Sequence, residues 1–514
     1  MDPEGTTVVN KGKVGETVPG AETASAPHPM RQRDWLLVAI ATAPVVALIL
    51  AAVVNVGHGY LGVNDNGMNE LRVAEIGSHW PFIGPFSRDG WSHPGPALFY
   101  LLVLPFRLTG GRSNGLLVGA ALINGGAISG MIVLARRRGG TAFAMLVALG
   151  CLIFISALGL EFVWDPWNPF LPVLSFGLVV LATWCVMCGD AWCLPIVAGV
   201  GSFCVQTHVG YAPLVGVLAV ISVIALAVPA RHRHQRDRTT PGTAMRTPIL
   251  VTVGILIAFW ILPVLEQFTT TPGNLRTVVH YFRTSNATPA LRESYHVVAA
   301  QFAWNPDWLV GTKTVNPFSG EPQGLFDGSV PIWWLALGAA LAWAWRNGPR
   351  SARRLGVVLV ITIAASVVAV ARTIGPLVEY RLRFVAVLGM LTAAFVAWVL
   401  WNSIAHRIWF PARSLAVAAI VTAVGLSTYN VAIAAGTDPP HPEQGRVAAE
   451  LARQLVRNLS RGSGVVVLNV RSEEAGPLIT GIMVELEGHG IPVAMHDTPD
   501  DRLRFGQRFR CTGK

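Results

Sequence analysis

The sequence predicts an all-α polytopic membrane protein of about eleven transmembrane helices, carrying a small extracytoplasmic α/β domain at its C-terminal end. Three observations carry this expectation. Of the 514 residues, 52% are hydrophobic and only 13% are charged, and the mean hydropathy is +0.49, a balance foreign to soluble chains of this length. Apolar runs of about 20 residues, enough to cross the hydrocarbon core, recur from residue 35 to residue 435. Clusters of arginine separate alternate runs, so that one orientation gathers them all on one side.

The elements follow in chain order. Residues 1–34 open with Gly, Thr, Ala, Glu and Pro in no apolar period and read as a disordered cytoplasmic tail. No charged and apolar leader stands at the extreme N-terminus, so the first span reads as a retained signal anchor. Spans are expected at 35–57, 114–135, 141–160, 170–188, 191–208, 210–229, 248–265, 331–345, 356–372, 384–401 and 414–435. Arg31 and Arg33 precede the first span. Arg136, Arg137 and Arg138 follow the second, Arg231, Arg233, Arg236 and Arg238 the sixth, Arg346, Arg350, Arg353 and Arg354 the eighth, and Arg407 and Arg413 the tenth. All five clusters share a side if the N-terminus is cytoplasmic, which accounts for the net charge of +10 without a nucleic-acid partner. A plasma-membrane protein with an extracytoplasmic C-terminus is the resulting expectation.

Two stretches depart from the pattern of spans. Residues 94–110, "PGPALFYLLVLPFRLTG", are apolar but too short to cross, and full crossing would reverse every later cluster. They read as an interfacial or re-entrant helix along the outer leaflet. From Gly436 the chain turns amphipathic. "GRVAAELARQLVRNLSR" sets Val447, Leu451, Leu455 and Leu459 on one helical face, "GVVVLNV" and "IPVAMH" read as strands, and "GPLITGIMVELEGHG" as a helix between them. Residues 436–514 are therefore expected to form a small α/β domain, 35–435 the membrane domain. Of the six cysteines, Cys185 and Cys188 have a metal-like spacing with no facing pair, and they read as small apolar fillers.

The ionisable groups expected outside the membrane are candidates for chemistry. Asp65 and Glu70 stand in the first outer loop with Arg88 and His93. A carboxylate there could serve as general base, while the "NDNG" turn equally suits Asp65 as a helix cap. In "LEFVWDPWNPF", Asp165 lies between Trp164 and Trp167, either an interfacial belt or a seat for a sugar ring. "ARTIGPLVEYRLRF" places Arg372, Arg381 and Arg383 on the side poor in basic residues, where guanidinium groups can grip phosphate oxygens in pairs. His93 and His208 lack metal-like partners in sequence. Glu266 stands where the seventh span meets the long outer loop 266–330 and could line a cavity.

A first span, an acidic outer loop, "HPGPALFYLLVLPFRLTG", a second span and "RRRGG" together resemble the membrane glycosyltransferases of the C-type (GT-C) fold. These include protein O-mannosyltransferases, lipid A aminoarabinose transferases and the rhizobial galacturonosyltransferases. Their pattern is His or Lys followed by two prolines; here Gly95 stands at the second. The run "NDNGMNELRV…GPFSRDGWSHPGP" is closer still to large membrane proteins of high-GC actinobacteria, with Asn64 in place of their glycine and the separation of Asp65 from Glu70 kept. The resemblance covers roughly residues 35 to 400. It implies inverting transfer of a sugar from a polyprenyl-phosphate donor to a cell-envelope acceptor, in a membrane whose lipid carries one substrate.

On that resemblance Asp65 is the base and Asp165 a second acidic residue. Arg372, Arg381 and Arg383 are candidates for the donor phosphate, with Glu70, Arg88, His93 and Glu266 as further substrate contacts. Some relatives bind a divalent metal near the acidic loops, and nothing in the residues decides that point. A transporter or flippase of lipid-linked substrate is the rival reading, although transporters gather their charges at mid-membrane. A scaffold for cell-wall assembly is the third.

Overall fold

The computed structural model describes residues 28–55, 60–233, 242–311, 330–375, 377–404, 412–459, 464–469, 475–495, 504–505 and 507–509. Most of the expected N-terminal tail, Arg236, Arg238, Arg407 and Cys511 lie outside them. The helices run α1 Gln32–Val54, α2 Asn64–Ala74, α3 Ala97–Leu108, α4 Asn114–Leu158, α5 Glu161–Trp164, α6 Pro172–Met187, α7 Leu194–Thr207, α8 Ala212–Arg233, α9 Gly242–Thr269 and α10 Asn274–Thr284. They continue as α11 Leu291–Ala300, α12 Asp307–Val310, α13 Ile332–Asn347, α14 Arg350–Val370, α15 Glu379–Leu382, α16 Phe384–Ile404, α17 Ala412–Ala434, α18 Pro442–Asn458 and α19 Gly476–Gly488.

Every one of the eleven apolar runs is helical. Seven helices among the described residues, α1, α4, α8, α9, α14, α16 and α17, are long and apolar enough to cross a membrane. The chain is a multi-pass membrane protein. The longest, α4, turns back on itself at Gly140, whose φ of 77° and ψ of −174° break the helix; a side chain is disfavoured in that region. Its two arms match the two separate runs seen in the sequence. The runs at 170–188, 191–208 and 331–345 make the shorter helices α6, α7 and α13, of 16, 14 and 16 residues. At 1.5 Å per residue they fall short of a full hydrocarbon crossing of about 30 Å. Proline in the first turn of α6 and α7 marks where each begins.

Ion pairs tie one end of the bundle together. Arg136 Nε meets Asp34 Oδ2 at 2.8 Å, joining α4 to the start of α1. Arg137 and Arg138 reach Asp190, between α6 and α7, at 2.6 and 3.5 Å. Trp184 donates its indole N–H to the Ser351 carbonyl at 2.8 Å, so the start of α14 lies at this end as well. The arginines at 136–138 and 350–354 thus share the end where α1 begins. Buried Cys151, Cys185, Cys188, Cys193 and Cys204 all carry free thiols.

The opposite end carries α2, α3 and the loops. Helix α3 has both its ends there: Ala97 N donates to Gln206 Oε1, at the last turn of α7, at 3.2 Å, and Arg107 donates to the Ile76 carbonyl just after α2. Twelve residues and two ends on one side make α3 a helix that does not cross. Gly95 has a packing reason: a Cβ there would lie 2.4 Å from Gln206 Oε1 and 2.8 Å from the Pro263 ring, so the second proline of the related pattern has no room.

The C-terminal segment packs on this same end. Strands β3 Val466–Leu468 and β4 Val493–Met495 pair in parallel on either side of α19, and α18 packs against α19. A separate antiparallel pair, β1 Phe86–Ser87 with β2 Trp91–Ser92, lies in the first loop. One expectation is corrected here. The expected face is split: Leu455 and Leu459 pack against the core, whereas Val447 and Leu451 are 50% and 40% exposed and Ala448 and Ala452 are buried in their place. Small residues win that face because the backbone comes close, with the Leu61 carbonyl 2.8 Å from where a Cβ on Gly445 would sit.

Candidate functional site

The site is built on the first turn of α2. Asn64 takes a left-handed φ of 54° just after the extended Val63, and the helix begins there, with Asp65 in its first turn. Unpaired backbone N–H groups at a helix start favour a carboxylate at that position. The Trp167 indole N–H donates to Asp65 Oδ2 at 2.7 Å. Next to it, Asn66 Nδ2 donates to Asp165 Oδ1 at 2.8 Å, and the Trp167 backbone N–H donates to the same oxygen at 3.0 Å. Two successive residues of α2 therefore grip the loop 165–167. Asp165 itself is buried, and that burial pushes its carboxyl up to about 7 against the pull of the Asn66 hydrogen bond.

Asp65 and Trp167 form one wall of a cavity of about 260 Å³. The hairpin residues Phe86, Arg88, Asp89 and Trp91, the imidazoles of His93 and His208, Tyr281 from α10, and Arg372, Tyr380 and Arg381 also line it. Aromatic rings connect the acidic wall to the basic one: Trp167 lies 4.8 Å from Tyr380 between ring centroids, and the Arg381 guanidinium lies 5.8 Å from the Tyr380 ring. Arg381 is held by donating Nη1 to the Ile374 carbonyl at 3.0 Å.

The two histidines are neutral donors in this arrangement. Their rings stand 4.8 Å apart. His93 Nδ1 accepts from Val209 N at 3.1 Å and His208 Nδ1 from Gly210 N at 3.3 Å, which leaves the ring proton of each on Nε2. Burial lowers both, His208 to about 4 with Arg381 adding to the effect, and His93 well below its ordinary value with His208 and Arg381 adding to it. Such rings do not suit a metal, whose His ligands offer a bare nitrogen. Among the described residues no group of three His, Cys, Asp or Glu side chains could hold a metal ion. Among the described residues the donor set does not fit a divalent cation.

No protein-family model matches the sequence, and no curated protein sequence is similar to it. Solved structures are similar. ArnT from Cupriavidus metallidurans bound to undecaprenyl phosphate matches 93% of this chain and 90% of its own length, with 14% identity and a TM-score of 0.51. The apo state of the same protein gives 0.45 at 14% identity over 90% and 86%. The chain has a GT-C-type fold.

Within the GT-C frame, Asp65, Arg88, His93, Arg372 and Arg381 come together at the cavity, and Asp165 is linked to Asp65 through Trp167. Three other candidates are lodged elsewhere. Glu70, fully buried, accepts from Ser113 Oγ at 2.9 Å. Both oxygens of Glu266 accept from the Asn274 backbone N–H, at 3.1 and 2.9 Å, which caps α10. Arg383 pairs with Glu379 at 3.2 Å and lies 4.4 Å over the Phe170 ring. Trp91, Tyr281 and Tyr380 belong to the cavity without having been singled out in the sequence. Tyr281 is brought in by the short helix α10 inside a long loop, a placement with no sequence signal.

Glu70 yields a pH prediction. Burial raises its carboxyl from 4.5 to about 8, against the Ser113 hydrogen bond. A raised folded-state value means the folded protein holds a proton that the unfolded chain has released. Its contribution to stability is full below about 4.5 and is lost as pH rises through about 8. Melting temperature in detergent is expected to fall across that window, and Glu70→Gln to flatten the fall. A variant with the wild-type slope would contradict this assignment.

Proposed function

We propose that the protein is an inverting membrane glycosyltransferase, moving a sugar from a polyprenyl-phosphate donor to a glycan, lipid or protein acceptor of the cell envelope at the outer face of the plasma membrane. The observation that carries the reading is the cavity itself, lined by the carboxylates of Asp65 and Asp89 and the guanidinium groups of Arg88, Arg372 and Arg381, with the Trp167 and Tyr380 rings standing between Asp65 and Arg381. That spacing of charge suits a displacement at an anomeric carbon.

The acceptor hydroxyl sits on Asp65, which takes its proton as the oxygen attacks. The new C–O bond forms on the face away from the phosphate, the old C–O bond breaks, and its electron pair leaves on the phosphate oxygen. Configuration inverts because attack and departure use opposite faces. Arg381 and Arg372 hold the charge that grows on the leaving phosphate. Trp167 and Tyr380 offer faces to the sugar, and the Nε2–H groups of His93 and His208 offer donors to its hydroxyls. Trp167, by donating to Asp65, holds the carboxylate in place for the acceptor. The undecaprenyl phosphate held by the similar structure of ArnT supports a lipid-linked donor. The arginine clusters gathered at the opposite end support an outer-facing site with the N-terminus in the cytoplasm.

Arg381→Gln is expected to raise the KM for the lipid-linked donor by about 10–100-fold, the worth of one or two lost charge-assisted hydrogen bonds, with the KM for the acceptor little changed. Steady-state kinetics with both substrates varied read the difference. A variant with unchanged donor KM would remove Arg381 from the phosphate site.

A further inference from the structure

We propose that the C-terminal unit is a clamp that sets the position of Asp65, with Thr480 and Gln444 as positioning residues. The inference rests on the reading of Asp65 as the base. The left-handed conformation of Asn64, φ 54°, is the backbone hinge that aims Asp65 into the cavity, and it is a conformation that non-glycine residues adopt sparingly. Both polar handles of Asn64 are held from the C-terminal unit. Thr480 Oγ1 donates to its carbonyl at 3.2 Å, and its own Nδ2 donates to Gln444 Oε1 at 2.8 Å.

The backbones on the two sides touch at glycines. A Cβ on Gly67, one turn into α2, would meet Thr480 Oγ1 at 2.4 Å, and one on Gly481 would meet the Gly62 carbonyl at 3.0 Å. Apolar packing seals the contact. Leu61, Val63 and Leu71, from the segment that carries Asp65, are buried in one core with Ala448, Ala452, Met483 and Leu486. The unit therefore completes its own core with the base-bearing segment. A second hold lies across the cavity, where Arg504 stands 5.2 Å over the ring of Phe86 in the cavity wall.

The loop between α5 and α6 grips the Asp65 carboxylate through the Trp167 indole, while the carbonyl of the preceding residue, Asn64, is held from the C-terminal side. Loosening that side displaces a proton acceptor by fractions of an ångström, which costs turnover far more than donor binding. The test uses the full chain in nanodiscs. Thr480→Val keeps the shape and removes the hydroxyl donor; Gln444→Ala removes the acceptor of the Asn64 amide; Thr480→Ser keeps the hydroxyl. The expected result is a kcat lowered about tenfold in the first two, with donor KM unchanged, rescue in Thr480→Ser, unchanged melting temperature, and faster amide exchange confined to residues 64–70.

Wild-type kcat in Thr480→Val and Gln444→Ala overturns the clamp. If no donor supports transfer even in the wild type, the transferase reading is what has failed. Exchange at 64–70 then decides alone: unchanged rates overturn the clamp, and faster rates uphold it as the device that fixes this turn.

Discussion

Asp65→Asn loses sugar transfer by about 10²–10⁴-fold, the worth of a general base, while the protein folds and binds its lipid-linked donor as the wild type does. The substitution keeps size and shape, and the amide oxygen can still accept the Trp167 indole N–H that now reaches Oδ2 at 2.7 Å. What is removed is the ability to take a proton. On the proposed reading, donor binding rests on Arg372 and Arg381 and on the aromatic faces beside them, all of which line the cavity. A kcat effect with an unchanged donor KM is therefore the signature. The same loss spread over both kcat and donor KM would instead place Asp65 in contact with the donor. A fully active variant would move the base to another residue.

The largest effect on stability is expected far from the cavity, at Asp34. Its carboxylate is 1% exposed and the facing Arg136 side chain 5%. Besides the 2.8 Å contact with Arg136 Nε, Asp34 Oδ2 accepts from the Arg31 backbone N–H at 2.8 Å and so caps α1. Asp34→Ala strands the Arg136 guanidinium in the protein interior, and breaking a buried pair in this way costs about 3–5 kcal/mol. Thermal melting of the detergent-solubilised variant reads it. The double variant Asp34→Leu with Arg136→Leu is expected to recover most of the loss, because no charge is then left unpaired. Equal melting of Asp34→Ala and wild type would mean that water reaches Arg136.

Much of the fold is legible because the bilayer imposes it. Every apolar run became helix, and the shortness of residues 94–110 was enough to mark α3 as a helix that does not cross. Side-chain direction was less legible. Asp65 and Glu70 share a helix but stand five residues apart, about 140° around it at 3.6 residues per turn; one faces the cavity and the other Ser113. Arg381 and Arg383, two residues apart, diverge by about 200° on the same count, so the first reaches the cavity and the second the Phe170 ring. Density of charge showed where a site lies, and only packing showed which charges enter it.

The same limit explains α18 and Glu266. A helical face of Val447 and Leu451 looked like the buried one, but a close backbone approach selects Gly445, Ala448 and Ala452 instead. Glu266 looked like a cavity acid, but a helix start eight residues later in the chain takes both its oxygens. Competition from backbone donors has no trace in the order of residues.

Sugar transfer is read by reconstituting the purified chain in liposomes with a panel of radiolabelled polyprenyl-phosphate sugars and envelope acceptors. The quantities to measure are label on the acceptor and free polyprenyl phosphate. Equal amounts of both, with the anomeric configuration inverted and the yield lost in Asp65→Asn, is the predicted result. Intact donor moved between leaflets, with no label on any acceptor, would contradict it and make the protein a carrier of the lipid-linked sugar.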